Sequence, residues 1–225
     1  MFIGHFGIGM GAKKTVPKAS LGTLFLAAQL LDLLWPTFLL LGWEHFKIEP
    51  GNTKMTPLNF TDYPLSHSLL MALVWGALFA FIYFLIKKRK REAIVLGLLV
   101  VSHWVLDLLV HRPDLPLYPG HSPLVGFGLW NFVPAAIFIE GLIFVLGVYF
   151  YVRSTQAKDK VGSIGFWALV VFLVVTYAGN VFGPPPTDPA AIAWVGESQW
   201  LIVLWGYWVD RHRTAKLPGT KAAMS

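Results

Sequence analysis

The sequence contains no cysteine, and only 13% of its 225 residues are charged. Without cysteine there is no disulfide framework, no thiolate nucleophile and no thiolate metal ligand. Soluble globular domains average about 25% charged residues, whereas 56% of the residues here are hydrophobic. This balance predicts an integral membrane protein. Any metal site in it must be built from histidine and carboxylate side chains.

The first eleven residues are apolar but too short to span a bilayer, and four glycines interrupt them. They also lack the basic start and long apolar core of a secretory signal peptide. We therefore expect a retained N-terminal segment, either re-entrant or packed under the bundle.

Apolar runs of about 20 residues are long enough to cross a bilayer as helices. Six such runs predict an all-α transmembrane domain over residues 1–210, and Pro36 predicts a kink in the first of them. Residues 211–225 are expected to form a disordered polar tail. The six predicted helices cover about 21–42, 65–86, 93–110, 132–152, 164–182 and 192–209.

Fourteen of the 18 lysines and arginines fall into four clusters beside the ends of the predicted helices, and the opposite loops hold only Lys47, Lys54 and Arg112. With six crossings, all four clusters lie on one side, which is the cytoplasmic side by the positive-inside rule. Both termini are then cytoplasmic. Since the basic residues flank apolar runs, the net charge of +6 predicts no nucleic-acid partner. The clusters are Lys13/Lys14/Lys18, residues 87–91, Arg153/Lys158/Lys160 and Arg211/Arg213/Lys216.

The third predicted helix carries His103, Asp107 and His111 at spacings of four. Residues four apart lie on nearly one face of a helix. Ionisable side chains at membrane depth cost several kcal/mol unless they are paired or ligated. We therefore expect this face to have a function.

Other helices bring ionisable groups to a similar depth. At 1.5 Å per residue, Asp32 and His103 lie about 17 Å and 15 Å from the cytoplasmic ends of their helices. His67 begins the second helix at its outer end, and Glu140 lies in the outer half of the fourth. The polar groups are therefore predicted to cluster between mid-membrane and the outer face.

Two or three imidazoles with one carboxylate and an open position suit a divalent metal, and zinc is the expected ion. We predict His67, His103 and Asp107 as ligands and Asp32 as a further ligand or the general base. Glu140 is a candidate for orienting a histidine. The N-terminal segment and the outer loops add further candidates, which are His5, Asp62, His111, Arg112 and His121.

Several short motifs occur in a characteristic order. They are Gly4-His5, Asp32, Ser66-His67-Ser68 and Ser102-His103-x-x-x-Asp107. In this order the chain resembles the membrane-bound metal-dependent hydrolases of bacterial inner membranes. The resemblance implies metal-dependent hydrolysis and an inner-membrane location. Because the predicted site lies below the outer surface, we expect membrane lipid as the partner and a lipid or lipid-linked ester, amide or phosphoester as the substrate.

A transporter is the main alternative, since carboxylates and histidines at membrane depth can also pass a metal ion or a proton. The sequence has no visible internal repeat, which favours the hydrolase. A non-catalytic membrane scaffold is the third possibility. Metal-dependent product formation distinguishes the hydrolase from metal flux through a carrier.

Overall fold

The structure, a computed structural model, describes residues 1–216, and it is mostly helical. The predicted helical class is confirmed, with three short antiparallel ribbons added at the ends of the bundle. The helices are α1 Ile3–Ala12, α2 Leu21–Ala28, α3 Leu30–Leu40, α4 Pro64–His67, α5 Leu69–Lys87, α6 Lys90–Val110, α7 Val133–Ser154, α8 Lys160–Phe182, α9 Pro189–Glu197 and α10 Gln199–Arg211. The strands are β1 His45–Ile48, β2 Leu58–Asp62, β3 Leu115–Pro116, β4 Leu124–Val125, β5 Thr155–Ala157 and β6 Arg213–Ala215.

Four helices of the described chain, α5 to α8, are long and apolar enough to cross a membrane. Only 11% of the apolar stretch of α5 is buried inside the protein. Large apolar side chains project from the outer faces of these helices, such as Phe81, Phe138 and Val175 at 59%, 68% and 63% exposure. Such surfaces are stable against acyl chains and costly against water.

The first predicted helix is broken in two. The axes of α2 and α3 meet at 59°, and the pair makes a fifth crossing if it is counted as one. The break lies at Gln29, whereas Pro36, where the sequence predicted a kink, lies inside α3. The sixth predicted helix is also divided, between α9 and α10 at Ser198.

The N-terminal helix α1 is buried within the bundle and packs against α7, α2 and α6. Its crossing with α7 is close because glycines face each other there. A Cβ atom on Gly7 would lie 2.7 Å from the Ile143 carbonyl oxygen, and one on Gly147 would overlap the backbone of Gly7. Small residues of this kind let helix backbones approach in membrane proteins. The crossing fixes α1 at the centre of the protein.

The basic clusters meet at one end of the bundle. Lys13 donates a hydrogen bond to Asp210 at 3.0 Å, and β5 pairs with β6. Arg213, predicted to lie in a disordered tail, is buried and donates to the Gly162 carbonyl at 2.8 Å. The start of the predicted tail is therefore ordered, while its residues 217–225 lie outside the described residues.

Candidate metal centre

Helix α6 supplies two central groups of the site. His103 and Asp107 lie one turn apart and are 0% and 1% exposed. The His103 Nε2 atom lies 3.2 Å from Asp107 Oδ2. Both groups are on the face that α6 turns towards α1 and α2.

A backbone carbonyl fixes the tautomer of His103. Its Nδ1 atom lies 2.8 Å from the carbonyl oxygen of Ala28, the last residue of α2. Because a carbonyl oxygen only accepts, Nδ1 carries the proton. When the ring is neutral, its Nε2 lone pair faces the carboxylates of Asp32 and Asp107, at 3.5 Å and 3.2 Å. Within residues 1–216 this Nε2 atom has no hydrogen-bond partner.

The break in the first crossing therefore contributes directly to the site. A helix interruption leaves a carbonyl group that must find a donor at membrane depth. The Ala28 carbonyl finds it in His103. The same break begins α3 and places Asp32 in its first turn, where the helix dipole favours a negative charge.

His67 is oriented by two groups behind it. Its Nδ1 atom lies 2.7 Å from Ser66 Oγ, and this hydroxyl lies 2.6 Å from Glu44 Oε2. The Ser66 backbone N–H donates to the other oxygen of Glu44 at 2.7 Å. With both carboxylate oxygens accepting, the Ser66 hydroxyl donates to Glu44 and accepts from His67 Nδ1–H. The Nε2 atom of His67 is left free to act as a ligand.

That Nε2 atom faces the same carboxylates as His103. It lies 3.4 Å from Asp32 Oδ1 and 3.8 Å from Asp107 Oδ2. The donor atoms of Asp32, His67 and His103 all lie within 4.8 Å of one another. The Asp32 side chain is 23% exposed, while those of His67 and His103 are 5% and 0% exposed. The cluster therefore opens on the side of Asp32.

His5 joins the cluster from α1. Its Nε2 atom lies 3.1 Å from Asp107 Oδ1, and its ring stacks on His103 with 3.6 Å between centroids. His5, His103 and Asp107 form a second group whose donor atoms lie within 4.8 Å of one another. The Met1 amino group contacts the same oxygen of Asp107. Asp107 thus has one oxygen towards α1 and the other towards His67 and His103. We name the five residues His5, Asp32, His67, His103 and Asp107 the His/Asp cluster.

The spacing of the donor atoms suits a zinc-type ion. Two ligands at about 2.0–2.1 Å from zinc in tetrahedral geometry lie about 3.3–3.4 Å apart. Asp32 Oδ1 lies 3.4 Å and 3.5 Å from the Nε2 atoms of His67 and His103. Asp107 Oδ2 lies 3.8 Å and 3.2 Å from the same two atoms. When the two imidazoles are neutral, their Nε2 lone pairs and the carboxylate oxygens repel each other. A cation bound between these atoms would turn the repulsion into attraction. These residues could therefore hold a metal ion.

Glu140 lies beside α1 and makes a different contact from the predicted one. Its Oε2 atom accepts the Phe2 backbone N–H at 2.8 Å, at the start of α1. Carboxylates at a helix N-terminus stabilise the helix through its dipole. Glu140 thus holds the helix that carries His5, and no direct contact to a histidine ring is recorded for it in residues 1–216.

Four further candidates lie outside the cluster, at the loop end of the bundle. His111 Nδ1 lies 2.8 Å from Asp114 Oδ1, and Arg112 binds Asp114 at 3.3 Å. Asp62 faces His45 at 3.8 Å in the exposed β1–β2 ribbon. His121 is exposed in the loop between β3 and β4.

Tyr63 closes the network around His111. It donates to Asp114 Oδ1 at 3.2 Å. Burial and the neighbouring Asp114 carboxylate hold the pKa of Tyr63 well above its usual value, so the hydroxyl stays protonated. These contacts connect the end of the β1–β2 ribbon to the loop after α6. Their role is structural.

Sequence reasoning did not assign Glu44 and Ser66 as partners of His67. Ser66 precedes the predicted ligand His67 in the sequence, and this adjacency only weakly indicates a contact between them. Glu44 is 22 positions away in a loop, and no periodic pattern links the two. Gln29 was also missed; its side chain is buried, and both polar atoms lack a partner within the described residues.

No protein-family model matches the chain, and no curated protein or solved structure is significantly similar to it. The case for a function therefore depends on the motifs and on the geometry of the His/Asp cluster.

Proposed function

We propose that the protein is a metal-dependent hydrolase of the bacterial inner membrane. The observation that carries the proposal is the convergence of two imidazole Nε2 atoms and two carboxylates at spacings of 3.2–3.8 Å. Three separate parts of the chain supply these groups, and all but Asp32 are almost fully buried. Buried carboxylates need a positive partner. The Met1 amino group supplies one to Asp107 Oδ1, and a metal ion would supply one to Asp32 and to Asp107 Oδ2.

In this proposal His67, His103 and Asp107 hold a divalent ion, with zinc the expected metal. A bound ion of this type supplies Lewis acidity towards water and towards a carbonyl or phosphoryl group. Asp32 lies at the open side of the cluster. Its Oδ1 atom faces the two imidazoles, and its carboxylate accepts the proton of the attacking water.

The expected substrate is a lipid or lipid-linked ester, amide or phosphoester. His103 lies 13 residues into α6, which at 1.5 Å per residue is about 20 Å from the start of that helix. A site at this depth is reached more easily by a molecule resident in the bilayer than by a soluble one. The exposed apolar faces of the helices are compatible with such an approach.

The proposal includes a topology. α2–α3 form one crossing, α5 to α8 form four, and α9–α10 together form the sixth. The end that carries the basic clusters is then cytoplasmic, and residues 213–216 lie on that side. The expectation that both termini are cytoplasmic does not hold for the N-terminus, because the Met1 amino group is buried in the bundle beside Asp107. The His/Asp cluster lies towards the outer half.

Metal analysis and product analysis of detergent-purified protein test the proposal. We expect one equivalent of zinc, lost in His103→Ala and retained in His121→Ala, whose histidine is exposed and outside the cluster. Incubation with membrane lipid extract should give new products by mass spectrometry, and a chelator should abolish them. Zinc that is unaffected by His103→Ala, or an absence of products from metal-loaded protein, would contradict the proposal.

A metal-ion or proton-coupled transporter is the second candidate, and one observation favours it. The crossing formed by α2 and α3 is bent by 59° beside Asp32, and broken helices often form ion sites in transporters. Metal flux into proteoliposomes without lipid turnover would identify the carrier.

A further inference from the structure

A second polar feature lies far from the His/Asp cluster, at the basic end of the bundle. Residues 15–18, between α1 and α2, and residues 89–92, at the start of α6, line a cleft of about 310 Å³. We name it the basic cleft. It lies at the turn between α5 and α6, two helices long enough to cross a membrane. In a bilayer this level is that of the lipid headgroups.

The cleft contains four cationic side chains and one carboxylate. The carboxylate, Glu92, already accepts the Tyr83 hydroxyl at 2.6 Å and the Arg89 guanidinium at 3.3 Å. Arg89 and Glu92 therefore neutralise each other. Lys18, Lys90 and Arg91 remain, and within residues 1–216 none of them has a recorded salt bridge or side-chain hydrogen bond. Three uncompensated positive charges surround one cleft.

Two distant parts of the sequence create this charge density. Lys18 comes from the linker after α1, while Lys90 and Arg91 come from the first turn of α6. The three side chains are exposed, so water screens part of their mutual repulsion, and an anion in the cleft would offset the rest. Arginine and lysine together are the usual partners of phosphate, which a guanidinium binds through two parallel hydrogen bonds.

The other basic residues of the same two segments are engaged elsewhere or lie outside the cleft. Lys14 lies over the Phe150 ring at 4.6 Å, and Lys88 lies over the Phe84 ring at 5.7 Å. Lys87 ends α5 and does not line the cleft. The segments therefore contain two sets of three cations. Lys18, Lys90 and Arg91 line the cleft, and Lys14, Lys87 and Lys88 lie outside it.

We propose that the basic cleft binds the phosphate group of an anionic ligand, which is either a membrane lipid headgroup or a free phosphate. Lys18, Lys90 and Arg91 provide the charge, and Val16 and Pro17 provide an apolar wall beside it. The proposal is independent of the hydrolase proposal, because the cleft and His103 lie at different levels of α6.

Binding to the full chain in detergent tests the proposal. The probes are dioleoyl phosphatidic acid, phosphatidylcholine with the same acyl chains, and inorganic phosphate, followed by native mass spectrometry and competition. We expect preferential binding of phosphatidic acid over phosphatidylcholine. A direct charge-assisted contact to the phosphate contributes about fivefold or more, so the loss of three such contacts in K18Q/K90Q/R91Q should weaken binding roughly 100-fold. The control K14Q/K87Q/K88Q removes the same charge from the same segments and should stay within about threefold of the original affinity.

The competition identifies the source of the phosphate. If inorganic phosphate displaces phosphatidic acid, the cleft recognises the phosphate group itself. If phosphatidic acid alone binds, the ligand is a lipid headgroup. If inorganic phosphate alone binds, the ligand is free phosphate. Equal losses in the two triple variants would overturn the proposal. So would an absence of phosphate binding together with no preference for phosphatidic acid.

Discussion

Each of the two histidines at the centre of the His/Asp cluster uses Nδ1 for an outward hydrogen bond and turns Nε2 inward. His103 donates to the Ala28 carbonyl at 2.8 Å, while His67 is held by Ser66 at 2.7 Å. Fixing the tautomer in this way raises the basicity of a metal ligand and removes the cost of orienting it. The arrangement therefore makes Ser66 a positioning residue for His67.

Replacing Ser66 should weaken metal binding without removing a ligand. We expect Ser66→Ala to lower zinc affinity about 10–100-fold, because partners of metal-bound histidines typically contribute that much. Ser66→Thr keeps the hydroxyl and should keep most of the affinity. Ser102→Ala is the matched control, since Ser102 is next to His103 but donates only to the Leu99 carbonyl, at 2.7 Å. Titration against a competing chelator measures the affinities. Equal affinities of the two alanine variants would exclude the positioning role.

Asp32 is the most accessible group of the cluster, and its proposed role is proton transfer. Asp32→Asn should lower turnover about 10²–10⁴-fold, which is the usual contribution of a general base. His67, His103 and Asp107 remain, so the zinc content should stay stoichiometric. Metal analysis alongside product formation separates the two possible roles. Loss of the metal from this variant would instead make Asp32 a ligand.

At the level of elements, helix periodicity predicts which residues share a helix face, but it does not predict where a helix bends. The i and i+4 relation of His103 and Asp107 can be read directly from the sequence, because helix geometry fixes it. The bend at Gln29 could not be predicted, since Pro36 offered a stronger local signal and the break depends on a partner 75 positions away, His103. Tertiary contacts of this kind leave no local pattern.

The position of α1 was also only partly predictable. Its glycines indicated a short apolar segment but not a partner. The partner is α7, whose Gly147 faces Gly7. No local pattern reveals that contact, so the sequence left open whether His5 reaches the cluster.

The α1–α7 crossing predicts a sharp difference between two glycines of one helix. Gly147→Ala should destabilise the protein by about 1–3 kcal/mol, because its methyl group would overlap the α1 backbone. Gly141→Ala is the control, since a Cβ atom there has no neighbour within 4 Å. It should be neutral or stabilising through helix propensity. Thermal unfolding in detergent measures both variants. Similar melting temperatures of the two variants would show that α1 and α7 do not cross closely at Gly147.

For the whole molecule, a metal that joins His67 of α4 to His103 and Asp107 of α6 should stabilise the bundle. At 1,000 times Kd, a bound ligand adds about 4 kcal/mol, which in a chain of this size raises Tm by roughly 8–16 °C. The 10 tryptophans provide the fluorescence signal. We expect a chelator to lower Tm, zinc to restore it, and His103→Ala to show neither effect. A Tm that does not respond to metal in the unaltered protein would argue against a metal shared between these helices.

The proposed topology can be tested because the chain has no cysteine of its own. In inverted and right-side-out vesicles, a membrane-impermeant maleimide should label His121→Cys from the outer side and Lys158→Cys from the cytoplasmic side. His121 lies in the β3–β4 loop, and Lys158 lies next to β5 at the basic end. Labelling of both positions from one side would refute the six-crossing arrangement.

The burial of α1 against α7 has a consequence for biosynthesis. Gly7 leaves the ribosome 140 positions before Gly147, the residue it faces. At about 5–20 residues per second, roughly 7–28 s separate their synthesis. During that interval α1 lacks its main helix neighbour and can pack only against α2 and α6, so the packing around His5 is complete only when α7 arrives. Assembly of the centre is therefore a late event of translation, although its first histidine is made almost at once.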